Sequence, residues 1–497
     1  MCKEGKAPAA YAIVKKELDN GSQDVWTQRA MGWVLYYIAK DRIIKKKARK
    51  AMDAIEVMRE LNMLTPQGDS MLFDNILWEI RSIVEGTAKG DDSMLDSVFD
   101  FLSQYTFAPS KAYSALVKTV KAHYWWDRLV EFYDWWNFDN LMPEDYLPFK
   151  MDNGKSIMSL AEQVYISYAR TVIHQKDEER IKAFIPKIET LAKEHSEMAY
   201  PGYFCGKLLM TQGGNKEETL AMVIPFLMKK RNEFWAWQLL GDVFKDEPER
   251  RLACLLRAVH CKCDEAFLTK IRAELARIYR NMGDYPRAHY HLDKIVQCCA
   301  MEHRQPAYEV QCMLRETLIS KAVPDDSDSL DYRKLTDEVI QRDMQESIAV
   351  VVYVDYQRKY AIIVYGQQKR SKERLKTLGV KVVLGTLLKI RWMPKGGEQK
   401  GIDIYSAEKI DDSGLEEQQF TYIRKIEGTF MHKLGTPYAF LKRKGKDCFV
   451  PPFIARNCGA GNGDSVTALA VLSYNDKKGK WDWVCVTVSN TSALLLA

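Results

Sequence analysis

Two periodicities divide the chain. From the N-terminus to about Ser320 apolar residues return every three to four positions, broken at Asn20-Gly21, Pro66–Gly68, Gly213-Gly214 and Gly283-Asp284. That spacing predicts helices joined by short turns. Pro324–Ser329 is a hinge by composition, Leu330–Gln345 reads as a connecting helix, and the period then falls to two. Ser347–Val354 and Lys359–Tyr365 are β-rich, followed by a basic segment at Gln368–Lys376, a strand pair around Lys381–Trp392, and Gly401–Ile410. Acidic Asp411–Glu417 marks a boundary. Five more strands are predicted near Tyr422–Phe430, Pro437–Lys442, Asp447–Val450, Ser465–Tyr474 and Trp481–Val488. The expected chain is multidomain, α then β: a helical solenoid over 1–320, a hinge and connecting helix over 321–345, a small β-barrel over 346–411, and an OB-type barrel over 418–490.

The solenoid reading rests on repetition. Lys207, Gly241 and Ala276 fall 34 and 35 residues apart, as do Met210, Phe244 and Tyr279, and Thr219, Ala253 and Ala288. With Trp237-x-x-Leu240-Gly241-x-x-Phe244 and Gly283–Ala288, these resemble the small and large packing positions of a tetratricopeptide repeat. A small residue lets two helices approach, and the aromatic fills the groove beside it. A single hairpin cannot bury its apolar face, so neighbours must stack. Three repeats fall within Ala199–Ala300; Gln28–Tyr37, with Ala30, Gly32, Trp33 and Tyr36, and Ala115–Trp136 read as degenerate ones. In the tryptophan-rich run His123–Phe138, Trp125, Leu129, Phe132 and Trp136 would share one helical face, and Trp126, Val130 and Tyr133 another. A helix apolar on two faces is normally packed between neighbours, and the competing reading is an aromatic peptide groove.

Charge separates the two regions further. Residues 346–497 hold 24 Lys and Arg against 15 Asp and Glu, a net of +9, whereas the preceding 345 residues hold 49 against 52, a net of −3. The positive potential favours a polyanionic partner for the C-terminal third. The 11 cysteines are scattered and odd in number, and no stretch approaches the ~20 apolar residues of a membrane helix, so reduced thiols in a cytoplasmic, membrane-free protein are expected.

Several motifs carry less chemistry than they promise. Gly459-Ala-Gly461-Asn-Gly463 has the wrong spacing for a dinucleotide fingerprint and leads into a strand, and Asn153-Gly154-Lys155-Ser156 lacks the upstream glycine of a P-loop. His260, Cys261, Cys263, His289, His291, Cys298, Cys299 and His303 crowd the last repeats, yet no Cys-x-x-Cys occurs. Stacked helices lie ~8–10 Å apart and zinc–thiolate bonds are ~2.3 Å, so buried thiols are the better expectation than zinc. No Ser, Cys or His combination has a recognisable catalytic context. The sequence therefore predicts a binding protein without enzymatic activity, metal or cofactor.

The candidate site lies at the other end. Alternation places Tyr438, Phe440 and Lys442 on one face of a strand and Ala439 and Leu441 on the other; Arg443, Lys444 and Lys446 make a cationic turn, and Phe449 lies on the partner strand. Residues 437–442 and 447–451 resemble the paired ribonucleoprotein-like strands of cold-shock domains in order, spacing and aromatic placement. Pro437 and Ala439 stand where glycines are usual, and Pro451 where a histidine is. The resemblance implies that Tyr438, Phe440 and Phe449 stack on bases of single-stranded RNA or DNA. With Ala30–Tyr36 near the start and Phe234–Trp237 in the middle repeat, the whole resembles the tetratricopeptide proteins of prokaryotic TOTE conflict systems. That resemblance implies a non-enzymatic adaptor in antiviral defence, its barrels holding nucleic acid and its solenoid recruiting a protein effector such as a helicase, primase or nuclease. The competing expectation is a purely protein-binding scaffold with degenerate barrels.

Overall fold

The computed structural model describes residues 1–21, 24–154, 156–366, 369–394, 401–411, 422–444, 447–475 and 479–490. The chain falls into two compact units, Met1–Phe226 and Leu227–Ala497.

The first unit is helical. Asp24 accepts a hydrogen bond from the Thr27 amide and starts the helix Val25–Ile44, which satisfies one of the donors left open at a helix start. Gly32 within it permits close packing, because a Cβ there would meet Leu72 Cδ2 at 2.7 Å. In the tryptophan-rich run the helix is confined to Leu129–Trp136. His123–Arg128 forms turns, so Trp125 does not share a helical face with Trp136 as the periodicity predicts. Trp126 and Trp136 are buried. Trp136 Nε1 donates to the Tyr113 carbonyl at 3.3 Å and the Tyr113 hydroxyl donates to the Trp136 carbonyl at 3.2 Å, so both polar atoms of this stacked pair are satisfied in the core. Trp125 instead lines a cavity of 1160 Å³ together with Lys121, Tyr124, Arg170 and His174.

The second unit begins with paired helices, Phe234–Val243 with Pro248–Val259 and Glu265–Asn281 with Tyr285–Met301. Phe244, Ala253, Ala276, Tyr279 and Ala288 are all buried at positions the 34- to 35-residue spacing picks out, and so is Trp237 of the motif beside them. In the helix Tyr200–Thr211, which belongs to the first unit, the close approach is at Gly206 rather than at Lys207. A Cβ on Gly206 would lie 2.6 Å from Val223 Cγ2, while Lys207 lays its ammonium 4.7 Å over Tyr203. The segment Pro324–Ser329 is fastened to these helices. Arg287 pairs with Asp325 at 3.0 Å and donates to the Ser327 carbonyl at 2.8 Å, and the hydroxyls of Tyr279 and Ser329 meet at 2.9 Å. The helix Tyr332–Gln341 is held likewise: Arg257, stacked on Trp237 at 4.2 Å, bonds Asp337, Thr336 and the Tyr405 hydroxyl.

Ten strands follow. β1 (Gln345–Asp355), β2 (Tyr360–Tyr365), β3 (Lys369–Arg374), β4 (Leu387–Pro394) and β5 (Ile402–Ile410) form an antiparallel sheet in the order β3-β2-β1-β4-β5. The barrel expected over 346–411 is thus not closed among the described residues. Helix α1 (Leu375–Leu378) lies against both β3 and β5, and its Leu378 joins the core of Ile363, Tyr365, Ile390 and Trp392. The physical reason is in β3, whose Lys-Arg-Ser-Lys-Glu-Arg sequence keeps an edge in water.

The second set does close. β6 (Ile423–His432), β7 (Ala439–Lys442), β8 (Cys448–Val450), β9 (Ser465–Asn475) and β10 (Lys480–Asn490) form a barrel in the order β8-β10-β9-β6-β7, with β8 returning to β7. A parallel pairing joins Phe449 of β8 to Val484 of β10, and helix α2 (Pro452–Asn457) connects the third strand to the fourth. These are the expected strands in an OB-type barrel. Small side chains, Ala439, Cys448, Ala468, Ala470 and Cys485, fill its interior beside Ile426, Phe430 and Leu441.

The open sheet and the barrel share an apolar seam. Val350, Val364 and Leu387 from the sheet's outer face pack with Tyr422, Ile423, Val471 and Val486, and the Tyr422 hydroxyl donates to the Ile348 carbonyl at 2.8 Å. Gly385 sits where the loop before β4 crosses β10. Its φ is +82° and a Cβ would come 2.4 Å from Thr487 Cγ2, so conformation and contact both call for glycine.

Candidate nucleic-acid interface

The site is built on β7 and β8. Their ladder pairs Leu441 with Cys448, Phe440 with Phe449, and Ala439 with Val450. Successive side chains alternate between faces, so Ala439, Leu441, Cys448 and Val450 are buried in the barrel while Phe440 and Phe449 stand on its outside, half-buried. Tyr438 precedes the strand and joins them. The three ring centroids lie 5.7, 5.6 and 5.8 Å apart for Tyr438–Phe440, Tyr438–Phe449 and Phe440–Phe449. The structure therefore brings together the three aromatics that alternation selects.

The approach to β7 is fixed by hydrogen bonds. Thr436 Oγ1 donates to the Tyr438 carbonyl at 3.0 Å, and His432 Nε2 lies 2.8 Å from the Thr436 carbonyl. Gly428 of β6 lets the neighbouring strand come close, since a Cβ there would meet the Lys442 carbonyl at 2.6 Å. The three departures from the cold-shock pattern have local explanations. Ala439 puts its methyl in the filled barrel interior, Pro437 lies in the bend before the strand, and Pro451 caps α2, accepting the Ala455 amide at 2.9 Å.

The cations are less uniform than the sequence suggests. Lys442 Nζ pairs with Asp447 at 2.5 Å, which neutralises it at the mouth of the turn. Arg443 and Lys444 are exposed, and Lys446 lies outside the described residues. Met431 of β6, 39% exposed, is the ladder partner of Phe440 and extends the aromatic patch. Its signal was the alternation of β6, which puts Met431 on the face opposite buried Phe430. Behind the patch the Cys448 and Cys485 sulfurs lie 3.1 Å apart in the core. The contact with Cys448 and burial push the Cys485 thiol well above its ordinary pKa, so it stays protonated.

The other candidates disperse. A strand follows Gly459–Gly463, with Asp464 accepting the Gly461 amide at 2.8 Å. Among the described residues no three His, Cys, Asp or Glu side chains gather in a way that could hold a metal ion. His291 is buried against Arg272 at 3.2 Å and stacked on Tyr279, His289 meets the Ala322 carbonyl, and His260 meets Asp328. No helix among the described residues is long and apolar enough to cross a membrane.

Two family models match parts of the chain. Residues 424–488, from β6 to β10, match S1/CSD-like domain 2 of the TOTE conflict systems. Residues 199–338, from Tyr200–Thr211 to the helix that carries Asp337, match a domain of unknown function, DUF7017. No curated protein matches the chain.

Proposed function

We propose that this chain is a non-enzymatic component of a prokaryotic conflict system, whose C-terminal barrel binds single-stranded RNA or DNA. The observation that carries the reading is the cluster Tyr438, Phe440 and Phe449 on the outer face of the second and third strands of a barrel matched by an S1/CSD-like model. In such barrels that face is the usual oligonucleotide surface. The rings supply faces for stacking, while Lys442, Arg443, Lys444 and Lys446 supply charge for the phosphates. Residues 1–320 then act as a tetratricopeptide-like solenoid that recruits a protein effector, with the cavity around Lys121, Trp125 and Arg170 as its docking place.

A second reading, a protein-binding scaffold whose barrel has lost its ligand, is favoured by one observation: Lys442 is already paired with Asp447. Titrating the full chain against fluorescent oligo(U) and oligo(dT) separates the two. Replacing Tyr438, Phe440 and Phe449 together with Ala is expected to weaken binding at least a hundredfold, from ~1–3 kcal/mol per stacked base. Affinity unchanged by that triple substitution would remove stacking on the barrel, and no binding by the parent chain would leave the scaffold.

A further inference from the structure

The open sheet carries its own aromatic and cationic surface, and neither family match extends to it. Within β1, Ala349 and Val351 face the core, and strict alternation would send Tyr353 there too. The register with β2 shifts between Val351 and Tyr353, which pairs Tyr353 with Ile362 instead. One extra residue, Val352, thus turns Tyr353 to the outer face, and it is 46% exposed. Tyr360 of β2 stands beside it, with ring centroids 5.9 Å apart.

The same face continues into β3. Its inward residues are Ser371 and Glu373, buried and hydrogen-bonded to each other. The outward ones are cations: Lys372 opposite Ile362 and Arg374 opposite Tyr360, with Arg370 next in line. Lys372 Nζ lies 4.0 Å from the Tyr360 ring centroid, and Arg370 reaches across to Ser473 of β9 at 3.0 Å. Among the described residues none of these three cations has a carboxylate partner. Asp355, the ladder partner of Tyr360, accepts the Arg358 amide at 2.8 Å and lies 4.0 Å from the Arg358 guanidinium. The barrel seam covers the apolar part of this face at Val350 and Val364 and stops short of the tyrosines.

We infer that the outer face of β1–β3 is a second platform for single-stranded nucleic acid, with Tyr353 and Tyr360 stacking on bases and Lys372 and Arg374 neutralising phosphates. It is built on the first three strands of a sheet whose strand order is that of the barrel, opened between the third and fifth strands. A solvated edge strand would account for the charges but not for a bulge that moves a tyrosine out of the core to lie beside another tyrosine and a lysine. An acidic protein surface would satisfy the charges equally and gain little from the ring faces.

The inference extends the proposed function but does not depend on the barrel site. Its test uses the full chain and the same labelled oligonucleotides. Tyr353→Leu with Tyr360→Leu is expected to weaken binding about thirtyfold, the lower end of the stacking range for two rings. Tyr353→Trp with Tyr360→Trp should retain parent affinity. Lys372→Gln with Arg374→Gln should make the log–log salt slope shallower by about 1.4, two phosphates at ~0.7 each. Equal affinities for the Leu and Trp pairs overturn the inference, and so does a response to the charge substitutions alone, which would leave general attraction of a polyanion without stacking. Binding lost only in the Tyr438, Phe440 and Phe449 triple removes the second platform and leaves the barrel reading standing. Loss only in the Tyr353 and Tyr360 pair does the reverse, and no binding by the parent chain removes both. Thermal midpoints within a degree or two of the parent guard against a misfolded variant.

Discussion

Strands β1–β5 and β6–β10 follow one path, a three-strand meander, a short helix, then two strands that return beside the first, yet one module is open and the other closed. The third strand decides. In β8 the residues are Cys448, Phe449 and Val450, so the strand can bury one face and still pair on both sides, with β7 and with β10. In β3 every outward position is a cation, and bringing β5 alongside would strip water from Arg370, Lys372 and Arg374. The helix after the third strand follows suit. α1 lies against both edges of the open seam, while α2 seals an already closed barrel with Ile454. Connectivity is therefore common to the two modules, and closure is a property of three to six residues.

If closure makes the barrel a unit of its own, equivalent core deletions should behave differently. Leu441 and Ile363 are fully buried, each on the inner face of the second strand of its module. Leu441→Ala and Ile363→Ala are each expected to cost about 2–5 kcal/mol in urea unfolding. Hydrogen exchange should then separate them. Leu441→Ala should deprotect the amides of β6–β10, and Ile363→Ala those of β1–β5. Barrel amides that loosen as much in Ile363→Ala as in Leu441→Ala would mean a single cooperative unit, and the contrast between the modules would lose its energetic meaning.

The junction sets how far the modules are coupled. Gly385→Ala forces an alanine to φ near +82° and its Cβ to 2.4 Å from Thr487 Cγ2. The expected cost is about 2 kcal/mol, from the left-handed conformation and the clash together. Thr487→Ser removes Cγ2 and should recover only the steric part. Full recovery would show that the loop can change its backbone, and no recovery that Thr487 is not the obstacle. A thermal midpoint series of the three proteins reads both.

These contrasts mark what the sequence could convey. Wherever one face is buried and the other wet, alternation locates the strand: all five barrel strands fall within a few residues of the expected bounds, and the alternation that singles out Tyr438, Phe440 and Phe449 also places Ala439 and Leu441 in the core. The sequence of β3 shows only a basic segment because its inner residues, Ser371 and Glu373, are polar and satisfy each other, leaving no apolar alternation to detect. The pair of strands expected around Lys381–Trp392 is one strand, Leu387–Pro394, preceded by a loop whose apolar Val382 and Leu384 pack into the cores of the sheet and the barrel. Tyr353 was invisible for another reason: a bulge is a register event between two strands, and no local pattern in β1 announces it. The pairing of Lys442 with Asp447 likewise depends on how the turn folds back, which a list of charges does not contain.

That pairing supplies the finest test of the contrast. On the barrel Lys442, at the end of the strand that carries Phe440, is held by a carboxylate, whereas on the open sheet Lys372 and Arg374 have none among the described residues. The Lys442–Asp447 pair is well exposed, so it adds only ~0–1 kcal/mol to folding, and Asp447→Asn should leave the thermal midpoint nearly unchanged. Its effect on binding has a definite sign. Freed from Asp447, Lys442 can neutralise a phosphate, and a negative charge leaves the surface. Affinity for single strands should rise two- to threefold at moderate salt, and the log–log salt slope should steepen by up to about 0.7. The same substitution in the Tyr438, Phe440 and Phe449 triple should give no such gain if rings and lysine engage one strand together. A gain of equal size in both backgrounds would assign Lys442 to long-range attraction alone, and an unchanged slope in either would show that Asp447 does not restrain it.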